Sequence, residues 1–372
     1  SKFRVGGERG RGLLQASSLL RVMSRVFISR RRRRLLAVSA AAIVVLLFAS
    51  GLSDHLFARS FSYFEWPPYV NVLQPAELAI AGKAPTIAAT NAWYDLLPEL
   101  VRPRCPDEEF KKNAKRVLII VKSALDNVEN RNAIRATWAR VTTVADYSIL
   151  TLFVLGARAG GGNSSSDIVD EAKKYEDMAV FDSFEDVYTK NTIKLAASLL
   201  LWHMGPASGC HGATPTEFLL LIDDDYMLSP WNLVALLRRR NPEEPLYEGW
   251  RFDTSPFRLR FHKHRISLSL YPFRSYPPYI SAGAVLLSRH SASRFFFGSM
   301  HVAVLPFDDV YAGIVAKLLG ISPLHNDNFL FWPASRGLFS RRDPEWADTV
   351  AAHGFTPEKL IEEFPHIRGA EI

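Results

Sequence analysis

The chain has 372 residues, 48% of them hydrophobic, enough for one large or two small cores. Its formal charge of +7 would suit a nucleic-acid binder, but eleven Lys and Arg against Glu8 before Leu35 account for +10, leaving 7 − 10 = −3 for residues 35–372. A basic nucleic-acid face on the folded part has no support, and no nucleic-acid partner is expected.

In chain order, the basic tail ends in Arg30-Arg31-Arg32-Arg33-Arg34 and is followed by LLAVSAAAIVVLLFASGL, eighteen uncharged residues from Leu35 to Leu52. An apolar helix that long can just cross a bilayer, and flanking arginines stay on the cytoplasmic side. The expected layout is a cytoplasmic tail at 1–34, a signal anchor at 35–52 and a luminal remainder. A cleaved signal peptide is the rival reading, with Ala49-Ser50-Gly51 as its cleavage site. The first residue is Ser1 rather than Met, so a start further upstream is expected.

Residues 53–113 are rich in proline and aromatics without periodicity and read as a stem before a catalytic domain at 114–372. Cys105 and Cys210 are the only cysteines. A lumen would permit a disulfide between them, but two unpaired thiols fit the sequence equally well. Asn163-Ser164-Ser165 is a glycosylation sequon in a Gly- and Ser-rich loop, meaningful if the domain is luminal.

From residue 117 onward, apolar strands alternate with helical stretches. Strands are predicted at 117–121, 149–155, 218–222 and 281–287, and helices at 129–140, 167–178, 186–204, about 230–240 and 310–319. Ser229-Pro230 is an N-cap with a first-turn proline. Alternating strands and helices imply an α/β fold with an open, largely parallel sheet, which binds ligands beyond the C-terminal strand ends.

One such end carries three acids, in Phe218-Leu219-Leu220-Leu221-Ile222-Asp223-Asp224-Asp225. Adjacent like charges repel, and a hard divalent cation would offset them. Asp225 is the expected metal ligand, with Asp223 or Asp224 facing a ribose; a polar loop after a core strand is the plainer reading. Arg131 and Arg135 lie one helical turn apart and either clamp a diphosphate or form a solvated basic face. Asp308-Asp309 opens a helix, as a cap or as a general base for an acceptor hydroxyl. His325 is a second metal-ligand candidate or a structural histidine. Tyr276-Pro277-Pro278-Tyr279 before Gly283 offers aromatic faces to a sugar, or a turn and a bulge; Trp250 and the basic stretch 258–265 are further acceptor candidates.

Taken in order, these motifs are specific. Arg131-x-x-x-Arg135-x-Thr137-Trp138, Phe153-Val154-Leu155-Gly156, Tyr175-x-Asp177-Met178, Asp186-x-Tyr188, Thr192-x-Lys194, Asp223-Asp224-Asp225, Tyr276-Pro277-Pro278-Tyr279 and Asp308-Asp309-Val310 resemble the Golgi β1,3-glycosyltransferase family of galactosyl- and N-acetylglucosaminyltransferases. Within it the chain is most similar to the invertebrate Brainiac branch, through Gly249-Trp250, Tyr271-Pro272-Phe273 and Phe307-Asp308-Asp309-Val310-Tyr311. The resemblance implies a GT-A fold, a Golgi type II membrane enzyme, Mn2+, inversion at the anomeric carbon, and a UDP-sugar donor, UDP-GlcNAc before UDP-Gal. The implied acceptor is a glycan on lipid or protein, such as mannosyl-glucosyl-ceramide. It assigns Asp309 as base with Asp308 in support, Asp225 and His325 to the metal, Arg131, Arg135, Lys194, Asp223 and Asp224 to the donor, and Trp250, Tyr279 and Gly283 to the acceptor.

Three positions depart from the pattern. Ile280 stands where relatives often carry Cys, Asp308 replaces a Glu, and Lys190 replaces the Asn of a sequon. The first and third leave the proposed chemistry untouched, and the second keeps the second acid of the pair, Asp309. A catalytically inactive glycan-binding or chaperone protein on the same fold is the alternative from another class, and the intact Asp225 and Asp309 argue against it.

Overall fold

A computed structural model describes residues 30–67, 69–96, 101, 103, 115–158, 166–205, 216–332 and 346–367. Cys105, Cys210, the Asn163 sequon and the tail before Arg30 lie outside the described residues. Two compact units emerge: the described residues up to Arg59 together with Pro256–Arg274, and Ser60–Ser255 with Ser275–Ile372.

The first unit contains helix α1 (Arg30–Ser50), whose stretch Arg32–Ser50, apolar from Leu35 on, has 19 residues and none of it buried. A soluble protein would bury such a helix, so its exposure fits an element meant for lipid.

The second unit is built on an eight-stranded mixed sheet. Its strands are β1 (Lys115–Lys122), β2 (Thr143–Val144), β3 (Tyr147–Ala157), β4 (Met178–Glu185), β5 (Phe218–Asp223), β7 (Tyr247–Phe252), β8 (Tyr279–Ser288) and β9 (Leu324–His325). The order is β2-β3-β1-β5-β8-β7-β9, with β4 also on β3. The core pairs β3–β1, β1–β5 and β3–β4 are parallel, whereas β5–β8 and β8–β7 are antiparallel. Val117, Ile119, Ile120, Val121 and Phe218 to Ile222 are almost wholly buried, as expected of interior strands covered on both faces. The mostly parallel core and the α/β arrangement are as expected. A second, three-stranded sheet joins β10 (Phe329–Leu330), β11 (Ala351–His353) and β6 (Tyr226–Leu228), the strand that directly follows the triple acid.

Ser229 caps its helix as expected, its hydroxyl accepting from Asn232 N at 3.3 Å. Other boundaries differ. The helix expected to run to Met178 ends at Tyr175, and Met178 instead opens β4. The helix expected from Asp186 begins at Asn191 after a 3-10 turn. Two tryptophans of the segment read as stem pack within the folded unit: Trp66 Nε1 donates to Ala303 O at 2.8 Å and Trp93 Nε1 to Ser299 Oγ at 2.9 Å.

Candidate active site

The parallel ends of β1 and β5 set the site. Lys122 and Asp223 are register partners, each the last residue of its strand. Lys122 is 9% exposed, and its ammonium lies 3.0 Å from Asp223 Oδ1 and 3.2 Å from Asp308 Oδ2, with a third bond to Ala282 O at 2.9 Å. Burial alone would lower its pKa, but the two carboxylates outweigh that and raise it. One ammonium thus joins the triple acid to the first turn of the helix Asp308–Leu319.

The three acids have three separate environments. Asp224 is 7% exposed and turned inward, accepting from Ser123 Oγ at 2.6 Å and from Asn127 Nδ2 at 3.0 Å. It anchors a loop through these bonds and also lines the cleft in front of the strand end. Burial pushes Asp223 up to about 6; Lys122 opposes this, while the charges of Asp225 and Asp308 add to it. Asp225 Oδ2 meets His353 Nε2 at 3.0 Å, and its Oδ1 is buried without a hydrogen-bond partner.

His353 is the histidine that sequence reading missed. It ends β11, which pairs with β6 so that His353 stands opposite Tyr226. Its Nδ1 bonds Phe331 O at 2.9 Å, which fixes the ring and leaves Nε2 facing the carboxylate. Burial opposes protonation, but the Asp225 bond outweighs it and raises the His353 pKa.

His325, the expected second ligand, lies elsewhere. It sits on β9 with Nδ1 accepting from Arg251 N at 3.1 Å and its ring edge-on to Trp250 at 4.8 Å. The sheet order puts β8 and β7 between β9 and β5, so three strand spacings, roughly 14 Å, separate it from the acids.

The two arginines do not form a free clamp either. Arg131 is fully buried; Nε and Nη2 grip Glu171 at 2.8 and 2.7 Å, while Nη1 holds Ser123 Oγ at 2.9 Å. Arg135 grips Asp177 at 2.8 and 2.9 Å, donates to Glu171 at 2.8 Å and lies 3.9 Å over the Tyr175 ring. Burial would raise the Glu171 pKa, but the two arginines lower it. The arginine face meets acids of the chain itself, and its link to the site is indirect, through Ser123 to Asp224.

Lys194 does line the cleft of about 360 Å³ in front of the triple acid, together with Lys122, Tyr188 and Asn191. Its charge is already paired with Asp186, and it donates to Ser123 O at 2.8 Å.

On the other side of Lys122, Asp308 is held by the ammonium, whereas the recorded bond of Asp309 is from Val310 N to Oδ1 at 2.7 Å. The N-cap position is Phe307, with no side-chain cap, so Asp309 is a first-turn acid and not the cap itself. Burial, reinforced by the charge of Asp308, pushes Asp309 up to about 7. That is the range in which a carboxylate works as a base at neutral pH.

Of the acceptor candidates, Tyr279 is buried, its hydroxyl 2.9 Å from Thr254 Oγ1, and burial with the Asp309 charge lifts it to about 12. Trp250 is half-buried beside His325. Gly283 is explained by packing: a Cβ there would lie 2.2 Å from Tyr226 Oη. The basic stretch is likewise structural at Arg258, which is 1% exposed.

Among the described residues, no three His, Cys, Asp or Glu side chains converge as a ready-made metal cage. Asp225 and His353 would supply two ligands to a divalent cation, and the unsatisfied Asp225 Oδ1 fits such a partner.

The chain belongs to the galactosyltransferase family, whose pattern matches residues 129–327. It is 33% identical over 329 residues to the β-1,3-galactosyltransferase bre-5 of Caenorhabditis elegans, covering 87% of this chain and 91% of that one. It is 34% identical over 260 residues to the β-1,3-galactosyltransferase brn of Drosophila melanogaster, covering 68% and 75%. A lactosylceramide 1,3-N-acetyl-β-D-glucosaminyltransferase B of Danio rerio matches at 31% over 265 residues, covering 68% and 66%. Among solved structures, the galactosyltransferase LgtC with donor and acceptor sugar analogs aligns at TM-score 0.33 and 12% identity, over 68% of this chain and 96% of that one. The protein is a UDP-sugar-dependent hexosyltransferase of the β1,3 type.

Proposed function

We propose that the protein transfers GlcNAc from UDP-GlcNAc, with inversion, to a hydroxyl of a glycan on a lipid or protein, mannosyl-glucosyl-ceramide being the model acceptor. The observation that carries the reading is Lys122, whose ammonium bridges Asp223 on the strand end and Asp308 on the helix. It fixes the helix that bears Asp309 against the strand end that bears the acids.

The reaction is a single displacement. The acceptor oxygen attacks the anomeric carbon, the bond from that carbon to the UDP oxygen breaks, and Asp309 takes the hydroxyl proton. Asp308, neutralised by Lys122, supports the base. Asp225 and His353 would hold a divalent cation, expected to be Mn2+, which as a Lewis acid would offset the charge of the departing UDP. Asp223, Lys194 and the wall of the cleft orient the donor. Trp250 and Tyr279 are the proposed acceptor contacts.

A second reading, galactose transfer from UDP-Gal, draws on the names of the nematode and fly relatives. Purified protein offered UDP-GlcNAc and UDP-Gal against β-mannosyl, β-galactosyl and β-GlcNAc acceptors decides between them. Turnover confined to UDP-Gal would reject the GlcNAc assignment.

The proposed setting is the Golgi membrane, with residues 1–34 cytoplasmic, 35–52 spanning, and the catalytic domain within 114–372 luminal, where Asn163 would be glycosylated. In sealed vesicles the C-terminal region should resist protease until detergent is added. Its digestion without detergent would reject this topology.

A further inference from the structure

The first unit holds a feature that transfer chemistry does not use. Helix α1 ends at Ser50, and the segment Pro256–Arg274 is fastened to that end. Arg260 N donates to Ser50 O at 2.9 Å, satisfying a carbonyl that a helix terminus leaves open. Gly51 follows at φ +84, and a Cβ there would lie 2.3 Å from Arg258 O, so only glycine admits this approach.

The segment is organised from within. The Arg258 guanidinium donates to Ile266 O at 3.0 Å, Tyr271 O at 2.8 Å and Phe273 O at 2.9 Å. Phe257 stacks on His262 with ring centroids 4.0 Å apart. At its base Arg59 N donates to Pro272 O at 2.8 Å, and Arg274 N to Arg59 O at 2.9 Å.

Despite this order, the tip displays apolar side chains. Phe261 is 94% exposed, and Phe257, Leu259 and Leu270 are also exposed. Leu56 and Phe57, a turn beyond the helix, are 71% and 64% exposed. Arg260, Lys263 and Arg265 are exposed among them. The Phe261 side chain itself buries almost nothing against the protein, and such exposed apolar groups mark a contact surface.

We infer that Pro256–Arg274 is a membrane-interface element that seats Phe261 and Leu259 in the bilayer at the exit of the spanning helix, with Arg260, Lys263 and Arg265 level with the lipid phosphates. The occupant follows from continuity with the span. The uncharged helical residues from Leu35 to Ser50 rise roughly 24 Å, and Gly51 and Leu52 bring the span close to the thickness of a hydrocarbon core. Ser50 therefore marks the membrane surface, and the bond from Arg260 N sets Phe261, the next residue, at that depth. Apolar tips flanked by cations suit the boundary between headgroups and acyl chains. This inference rests on the reading of α1 as a membrane span.

The test uses the full chain in phosphatidylcholine vesicles, with Cys105→Ser and Cys210→Ser and one fluorophore on Phe261→Cys, on Leu259→Cys or, at mid-span, on Val44→Cys. Each labelled protein is quenched by aqueous iodide, by lipid spin-labelled near the headgroup, and by lipid spin-labelled deep in the chain. A Val44 label quenched by the deep probe, with a Phe261 or Leu259 label quenched by the shallow probe and shielded from iodide, supports the element. A Val44 label in lipid with both loop labels open to iodide overturns the inference and leaves the span standing. A Val44 label open to iodide overturns span and inference together. If Phe261→Cys disrupts folding, the Leu259→Cys label decides on the same criteria.

Discussion

Replacing Asp309 by Asn separates base from scaffold. The amide oxygen can still accept from Val310 N, a bond of 2.7 Å in the native protein, so the first turn of its helix keeps its partner. The charge is lost. Burial and Asp308 lift the Asp309 pKa from 3.8 to about 7, which corresponds to roughly 4 kcal/mol against the ionised form. Solvent reaches the half-buried carboxyl, and a realistic share of that penalty is on the order of 1–2 kcal/mol. An acid with a raised pKa contributes stability that is complete below its unfolded value, and that stability is lost as pH rises through its folded value. For Asp309 that window runs from 3.8 to about 7, so the native protein should lose stability across it relative to Asp309→Asn. At pH 8 the variant should therefore melt at or above the native temperature. Turnover should nevertheless fall by at least about 10²-fold, the usual contribution of a general base. The assay is steady-state transfer beside thermal unfolding at pH 8, with UDP affinity as a control for the donor site. In the native enzyme the rate should fall as pH drops below about 7, where Asp309 takes up its proton. Turnover near the native rate in Asp309→Asn would refute the assignment and make Asp308 the next residue to replace.

His353→Ala should weaken binding of Mn2+ with UDP by about 10-fold or more in calorimetry, while His325→Ala leaves it unchanged; equal effects would reject the pairing of His353 with Asp225. Lys122→Met strands Asp223 and Asp308 beside each other and should destabilise by about 3–5 kcal/mol in urea unfolding, the range for breaking a buried ion pair; a loss under about 1 kcal/mol would show the bridge to be dispensable. Gly283→Ala pushes a methyl into the Tyr226 ring and should lower stability by about 1–3 kcal/mol along with turnover, since that ring packs on His353; native melting would show that the ring yields freely.

The interior strands were legible because their burial is written as continuous apolar runs. The strand Tyr247–Phe252 was not, since it carries Glu248, wholly buried yet paired with Arg240, so that a charge masks a core position. The helix Ser166–Tyr175 was read too long because its stop signal is concealed: Glu176 takes the left-handed φ of 55 where a glycine would announce the end. Asp225 stood out because three adjacent acids after an apolar strand call for an explanation, whereas Asp309, an ordinary first-turn acid, was singled out by the family resemblance. Lys122 and His353 escaped because each is a lone residue after a short apolar run, and only strand pairing reveals what it faces. The arginine pair was misread for a similar reason, its partners Glu171 and Asp177 lying about 40 positions away.

His353 reaches Asp225 across 128 positions of chain, from the last strand of the small sheet. During synthesis the acids therefore emerge long before their histidine. The large sheet has all its strands once His325 has been made, yet the site is still open at that stage. A product ending ahead of Ala351 would keep every strand of that sheet and lack the histidine that meets Asp225. On the proposed reading, activity then requires the final segments: a chain that ends early would lack the histidine proposed to hold the cation with Asp225.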